Sequence, residues 1–480
     1  MKKLIPTKIV STLGPASNNE EMIRKLFKAG VTMFRINSSH DNIETHTRTL
    51  GYIRKIEKEE NAIIPVLLDL QGPKIRIGQL DAPIRICTGE VLKFRYQEKY
   101  VDGIIPVDYK GIATDVKSGE KILIDDGKLQ FVVEKTEGDV VYAKVLTSGE
   151  IKSRKGLNIP GGTGSIDILT KTDLEYVDFA MKNDIDYLGL SFVRNKEDLL
   201  KLRKILCANG SRLRIISKIE KPQAIENIDE IIEHSDGIMV ARGDLGIEIQ
   251  TELLPIAQKT IIKKANMARK PVIVATQMLE SMTENPIPTR AETSDVANAI
   301  IDGADAVMLS GETAMGKYPV EAVTVMGKIA EEIDNSQFIR KNEFVRNLEG
   351  FTNEIPKAIA LSVADTVKHI PAVKGVIALT ATGYTPALMS ECRPTVPIYS
   401  LSSDLKVCRW LQLYNNVFSM KIEKSLGHEL NIDAQAFLLM DEFLKNGLSL
   451  NTKDIVILTG SVPHFMSGES TNFLKIHEIS

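Results

Sequence analysis

The sequence predicts an α/β protein built on a (β/α)8 TIM barrel, with a small inserted β-barrel domain and a C-terminal open α/β domain. Three observations lead there. Eight short β-branched runs alternate with longer amphipathic segments up to about residue 341. More than a hundred residues of different character separate the third run from the fourth. After about Asn342 a separate alternation of strands and helices begins. At roughly 150 residues per domain, 480 residues accommodate about three domains. The expected divisions are 1–73 with 166–341 for the barrel, 74–165 for the insertion and 342–480 for the third domain.

The strand candidates of the first unit are TKIVSTL (7–13), TMFRINS (32–38), IIPVLLDL (63–70), YLGLSFV (187–193) and LRIISKIE (213–220). GIMVARGD (237–244), PVIVATQ (271–277) and AVMLSGE (306–312) complete the set. Continuous apolar runs mark parallel strands covered on both faces. Helical patterns lie between them, as in EEMIRKLFKAG, where Met22, Ile23, Leu26 and Phe27 share a face and Gly30 ends the helix. Eight is the number that closes a barrel, although a doubly wound open sheet gives the same local pattern.

From about Lys74 to Ile168 the helical period disappears. KILIDDGKLQFVVEKTEGDVVYAKVLTSGEIK alternates and carries hairpin signals at Asp126-Gly127, Gly138-Asp139 and Ser148-Gly149. GLNIPGGTGS reads as the hinge back to the barrel. The third domain runs from a helix at about 355–370 through GVIALT, YTPALMSECR, VPIYSLS, a helix around Trp410 and NVFSMKI. A helix at 432–445, DIVILTG and FLKIHEI follow.

Composition excludes several classes. A 43% hydrophobic and 26% charged chain is not disordered. Sixty Lys plus Arg against 63 Asp plus Glu leave a net charge of −3, so no basic excess exists to grip nucleic acid or an anionic membrane. No 18-residue uncharged apolar stretch is present, and the apolar run of the opening MKKLIPTKIVSTLGPAS is broken by Pro6 and Lys8. Cys87, Cys207, Cys392 and Cys408 are scattered, without a Cys-x-x-Cys pair. That argues against a disulfide framework or zinc knuckle and points to a reducing, cytoplasmic compartment.

Active sites of such barrels lie at the carboxyl ends of the strands. The second run ends in Arg35, Asn37 and Ser39, the third in Asp69, and the fifth in Lys218 and Glu220. The sixth ends in Arg242 and Asp244, the seventh in Thr276, and the eighth in Ser310 and Glu312. A single one reads as a solvated strand end, but charged or polar side chains at the ends of six apolar strands read as a site. Glu220 and Asp244 can anchor one Mg²⁺ whose octahedron is completed by water and substrate oxygens. Lys218 adds a point charge on the face of Glu220, and Arg35 a planar fork for a phosphoryl group or carboxylate. Gly243 lets a substrate carboxylate approach backbone N–H groups. The set describes a highly anionic substrate and suits phosphoryl transfer.

Gly311 to Tyr318 nearly matches G-x-x-x-x-G-K-[ST], but Tyr318 cannot replace the small hydroxyl that ligates Mg²⁺, and Pro319 opens a new helix. The seven histidines show no metal-ligand spacing, and His40 adjoins the Arg35 cluster.

FRINSSH, LLDLQGPKIRIG, SKIEKPQAIENIDEII, GIMVARGDLGIEI, ATQMLESM and PTRAETSDVANAIIDGADAVMLSGETAMGKYPVEAV together resemble the pyruvate kinase family. The resemblance covers essentially the whole chain and selects the barrel, lid and C-domain arrangement. It implies transfer of the phosphoryl group of phosphoenolpyruvate to ADP, giving pyruvate and ATP, with Mg²⁺ or its substitute Mn²⁺. It implies Arg35 as the phosphoryl clamp, Glu220 and Asp244 as metal ligands, and Lys218 as the charge that stabilises phosphoryl and enolate. Thr276 would help protonate the enolate, and Gly243 would contact pyruvate. Asn37, His40, Arg76 and Lys155 fall on the nucleotide side, Lys155 being carried by the lid. Family members are usually homotetramers.

The family's usual Thr-Lys-Gly-Pro-Glu after the third-strand aspartate is here Leu70-Gln71-Gly72-Pro73-Lys74. Asn37, Ser39 and Asp69 of the potassium site remain, but Leu70 offers no side-chain oxygen and Lys74 replaces a carboxylate. The chain therefore resembles potassium-independent members, Lys74 standing in for K⁺. Ser38 and Asp41 replace a Phe and a Gly of the family's second-strand block. Thr380, Thr382, Gly383 and Thr385 occupy the place of an effector phosphate loop, which implies a phosphorylated-metabolite effector, although Tyr384 stands where a basic residue is common. A metal-dependent aldolase or lyase of the phosphoenolpyruvate/pyruvate barrel superfamily would need neither nucleotide-side cations nor a lid. An inactive regulatory homologue would not need Lys218, Glu220, Asp244 and Thr276 together.

Overall fold

Each of the eight apolar runs becomes a parallel strand, and the strands close on themselves. The computed structural model describes residues 4–160, 162, 166–336, 353–422, 450–461 and 471–479. The helix expected at 432–445, the boundary near Asn342 and part of GLNIPGGTGS lie outside the described residues. The barrel begins with β1 (Lys8–Leu13), β2 (Met33–Asn37) and β3 (Val66–Asp69). The insertion holds β4 (Ile84–Ile86), β5 (Val91–Tyr96), β6 (Ile104–Val107) and β7 (Lys121–Ile124). It continues with β8 (Leu129–Glu137), β9 (Val140–Val145), β10 (Gly149–Ile151) and β11 (Leu157–Asn158). The barrel resumes at β12 (Tyr187–Leu190), β13 (Arg214–Ile219), β14 (Gly237–Ala241), β15 (Val272–Ala275) and β16 (Ala306–Leu309). β1 pairs in parallel with both β2 and β16, which closes the barrel and excludes the open-sheet alternative.

Alternation along the strands divides the core. Phe34, Ile36, Val66, Leu68 and Leu188 pack outward with the surrounding helices. Met33, Leu67, Tyr187, Ile216 and Met239 belong to a second cluster that continues into the C-terminal domain through Trp410 and Leu411. Both faces are buried, which is why the strands read as unbroken apolar runs. The first helix, Glu20–Ala29, shows the local logic: Asn19 accepts the Met22 N–H at 3.0 Å, and Gly30 ends it at φ 135°, a conformation side chains rarely adopt.

In the insertion six strands follow the order β11-β7-β8-β9-β5-β6. The run Ile75–Gly78 bridges both outer strands: Ile77 N donates to Lys155 O at 2.9 Å, and Gly78 N to Pro106 O at 2.9 Å. The sheet is thereby closed into a small barrel. Asp125, Asp126 and Gly127 all take positive φ in the β7–β8 hairpin, and Gly138 at φ 62° turns β8 into β9. Ser148-Gly149 is a correction. It makes no hairpin, because Gly149 opens β10, which pairs with β4 rather than β9. Asp173 clasps the two chain crossings: its Oδ1 accepts Gly72 N at 3.2 Å and its Oδ2 Thr170 N at 2.9 Å.

The C-terminal sheet contains β17 (Val373–Leu379), β18 (Ile398–Ser402), β19 (Val417–Lys421), β20 (Ile455–Gly460) and β21 (Phe473–Glu478). Their order is β19-β18-β17-β20-β21, with only β21 antiparallel. Arg409 fastens this domain to the barrel through Glu57 and, at 2.7 Å, Asp184. Among the described residues no helix is long and apolar enough to cross a membrane.

Candidate active site

At the carboxyl ends of β2, β3 and β13 two cationic side chains, Arg35 and Lys218, meet at one carboxylate, Asp69. Arg35 Nε and Nη2 lie 2.7 and 2.6 Å from Asp69 Oδ2, and Arg35 Nη1 donates to Thr12 Oγ1 at 3.0 Å. The β2–β3 register sets Asn37 opposite Asp69 and lets Arg35 reach across. Lys218 Nζ lies 3.2 Å from Asp69 Oδ1 and 2.9 Å from Glu220 Oε1, and donates to Ser191 Oγ at 2.7 Å. Glu220 Oε2 accepts the Phe192 N–H at 2.7 Å. Ser191 escaped the strand-end reading. Its signal was present, as the one polar side chain in the otherwise apolar YLGLSFV.

Burial governs the electrostatics. It pushes the Asp69 carboxyl up, but Lys218 and Arg35 overcome that and hold it below its usual range. Burial pulls the Lys218 pKa down; Asp69 and Glu220 outweigh this and raise it. Glu220 goes the other way, pushed up to about 7 by burial and the nearby Asp244 charge, against the opposing pull of Lys218.

The sixth and seventh strands supply a second group. Gly243 and Asp244 stand in the short helix Arg242–Glu248 directly after β14, rather than on the strand itself. Gly243 N donates to Thr276 Oγ1 at 2.7 Å, so the N–H expected to face substrate is engaged by that hydroxyl. The hydroxyl in turn donates to Ala275 O at 2.6 Å. Thr276 sits at φ 68°, strained for a β-branched residue. Arg242 holds that turn, donating to Thr276 O at 2.8 Å and Gln277 O at 3.1 Å while Asp295 pairs with it at 2.7 Å. Glu312 is buried and accepts from Leu279 N and Ser310 N, a structural rather than a cleft-facing role.

A divalent cation fits the donor set. Glu220 Oε1 is buried and has no hydrogen-bond partner among the described residues, only the ionic contact with Lys218. No group of three or more His, Cys, Asp or Glu poised for a metal occurs among the described residues. Glu220, on which the nearby Asp244 charge acts, offers with it two carboxylates, and a cation there would complete its shell with water and substrate oxygens, a pattern that suits Mg²⁺.

The other expected residues are dispersed. Asn37 Oδ1 accepts Ser39 N at 3.1 Å, and His40 beyond it is exposed. Arg76 donates to Arg154 O at 3.2 Å, and Lys155 pairs with Asp125 at 2.8 Å within the insertion. Lys74 and Arg76 line a cleft with Asp244, Asn158 and Lys221 at the barrel–insertion junction. The Leu70 side chain is 1% exposed and packed in the core, and its carbonyl accepts Ser191 Oγ at 2.7 Å. In the C-terminal domain Thr380 Oγ1 accepts Gly383 N at 2.8 Å and Thr385 bonds Thr471 at 2.8 Å. Thr382 and Gly383 line a 360 Å³ cavity with Arg214, Arg269 and Lys270 of the barrel. Gly311 to Tyr318 forms a short helix and a turn, and Lys317 pairs with exposed Glu284.

Two family models match the chain: "Pyruvate kinase, barrel domain" over residues 4–323 and "Pyruvate kinase, alpha/beta domain" over 357–477. A pyruvate kinase of Geobacillus stearothermophilus is 41% identical over 480 residues, covering 99% of this chain and 80% of the relative. One of Thermococcus litoralis is 38% identical, covering 98% of both chains. The crystal structure of a pyruvate kinase from Cryptosporidium parvum superimposes with a TM-score of 0.91 at 34% identity, covering 99% of this chain and 96% of the other.

Proposed function

The chain belongs to the pyruvate kinase family, and on that premise we propose that it transfers the phosphoryl group of phosphoenolpyruvate to ADP using Mg²⁺ and no K⁺. The observation that carries the reading is Lys218, a buried cation 2.9 Å from Glu220 Oε1 and 3.2 Å from Asp69 Oδ1, with Arg35 on the same aspartate. Bound Mg²⁺, held by Glu220 and Asp244, would neutralise charge on substrate oxygens. Arg35 clamps the phosphoryl group with its planar fork. Lys218 balances the charge that grows on the transferring group and on the enol oxygen as the P–O bond breaks. ADP's terminal oxygen takes the phosphoryl group, and the enolate left behind takes a proton at its methylene carbon. Thr276 Oγ1, held by Gly243 N and Ala275 O, stands at the hydroxyl that supplies or relays this proton. Arg76 and Lys155 of the insertion, with Asn37 and His40, serve the nucleotide phosphates. Closing the insertion excludes water, which would otherwise accept the phosphoryl group.

Independence from K⁺ is supported by Leu70, whose side chain is core and whose carbonyl is engaged by Ser191. Both Asp69 oxygens face cations of the chain itself. Exposed Lys74 lines the cleft beside Asp244, and among the described residues its ammonium has no ionic partner. Four free thiols suit a cytoplasmic enzyme. A homotetramer is the assembly we propose, read by light scattering. A phosphate-bearing effector at the Thr382–Gly383 cavity is supported by the barrel cations Arg214, Arg269 and Lys270. Phosphate esters titrated at subsaturating phosphoenolpyruvate should shift activity, and no shift with any of them removes the effector. The principal test is pyruvate formation from phosphoenolpyruvate and ADP, abolished by EDTA and restored by Mg²⁺. Turnover unaffected by EDTA overturns the metal assignment, and no ADP-dependent turnover overturns the reaction.

A further inference from the structure

Glu248 ends the helix that carries Gly243 and Asp244, and it is 5% exposed. Its Oε1 accepts from two other parts of the chain. Asn158 Nδ2, on β11 of the insertion, donates at 2.9 Å, and Lys221 Nζ at 2.7 Å. Lys221 directly follows Glu220, is itself 5% exposed, and lies 5.8 Å from the centroid of the Phe192 ring. Glu248 Oε2 is buried and has no hydrogen-bond partner among the described residues. One carboxylate thus joins the insertion, the Asp244 helix and the residue after Glu220.

We propose that Asn158, Glu248 and Lys221 form a latch that holds the insertion closed over the cleft, with Asn158 as a positioning residue for phosphoryl transfer. The inference rests on the transfer reaction proposed above. Lys221 pairs with the buried Glu248 carboxylate at 2.7 Å, so the bond from Asn158 joins a charge-assisted network rather than a lone amide contact. β11 is the last strand of the insertion and pairs with β7, so a bond from Asn158 ties that sheet directly to the Asp244 helix. The same carboxylate orients the helix of Asp244 and the neighbour of Glu220, which makes lid position and site geometry parts of one assembly. When the latch is released, water competes with ADP: its oxygen bonds to phosphorus as the bond to the enol oxygen breaks. The water loses a proton to solvent, the enolate gains one, and the products are inorganic phosphate and pyruvate.

Asn158→Ala removes the donor and leaves the Lys221–Glu248 pair intact. It should raise the KM for ADP about tenfold, the equivalent of one hydrogen bond to a charged group. It should also release inorganic phosphate, so that pyruvate exceeds ATP, with the KM for phosphoenolpyruvate and the melting temperature unchanged. Asn158→Asp alone sets two carboxylates against each other and should be worse. Combined with Glu248→Gln it reverses the bond at constant charge, and recovery of most of the ADP affinity supports the contact. Hydrogen exchange of residues 104–158 with and without ADP reads closure independently of turnover. A parent protein that made no ATP would remove the transfer reading, while the exchange measurement would still decide the latch. Asn158→Ala with the parent's KM for ADP, equal ATP and pyruvate, and the parent's ADP-induced protection overturns the proposal.

Discussion

Arg35 and Lys218 share one carboxylate: Asp69 Oδ2 lies 2.6 Å from Arg35 Nη2, and Asp69 Oδ1 lies 3.2 Å from Lys218 Nζ. The two cations come from strands far apart in sequence and are oriented by a side chain that is 1% exposed. Positive charge is therefore in place before substrate arrives, which is the condition under which electrostatic stabilisation costs least reorganisation.

Lys218→Met should lower kcat by about 10²–10³ while changing the KM for phosphoenolpyruvate much less, since the charge acts mainly in the transition state. Steady-state kinetics check this. A variant with near-parental kcat assigns Lys218 a structural ion pair only.

Asp69→Asn leaves both cations without their shared anion, in a setting where breaking a buried pair costs about 3–5 kcal/mol. Urea unfolding at neutral pH measures the loss. A change below about 1 kcal/mol would show that Glu220, still paired with Lys218, and the surroundings of Arg35 compensate for the lost anion.

Asp184, where the C-terminal domain meets the barrel, should show a defined acid window. Burial raises its pKa, but Arg54, Lys406 and Arg409 outweigh burial and lower it from 3.8 to about 2. A depressed folded value gives stability that is present above the unfolded pKa and lost as pH falls through the folded one. The stability difference between the parent and Asp184→Asn should therefore shrink between pH about 4 and about 2. A difference constant across that range contradicts the assignment.

Initial rates in tetramethylammonium buffer at constant ionic strength should change little when KCl is added. Stimulation of tenfold or more would overturn the role given to Lys74. Lys74→Glu should lower activity in potassium-free buffer, with partial recovery in K⁺, because Leu70 still withholds a side-chain oxygen.

Much of the architecture was legible because it rests on local periodicity. YLGLSFV and PVIVATQ read as strands from apolar continuity alone, and β12 and β15 formed inside them. Asp126-Gly127 and Gly138 marked their hairpins because positive φ is a property of the turn residues themselves. Ser148-Gly149 misled for the complementary reason. The partner of β10 is β4, more than sixty residues earlier, and no local pattern encodes a pairing between strands that are not neighbours. Ser191 and Glu248 are not legible as members of the site from local pattern, since one follows an apolar strand and the other ends a short helix. Only folding brings them to Lys218 and Lys221.

By itself the sequence determined which residues stand at the carboxyl ends of the strands, since that depends on where each apolar run stops. It determined the chemical types gathered there, including the apolar Leu70 and the cationic Lys74. Tertiary structure alone decided that β1 closes against β16, that Ile75–Gly78 seals the insertion, and that Asp69 joins Arg35 to Lys218. It also decided that burial pushes the Glu220 carboxyl up to about 7 while Asp69, buried as deeply, is held below its usual range by Lys218 and Arg35. The reason is physical. Periodicity is a property of a few consecutive residues, whereas desolvation and Coulomb interaction sum over side chains that only the closed barrel brings together.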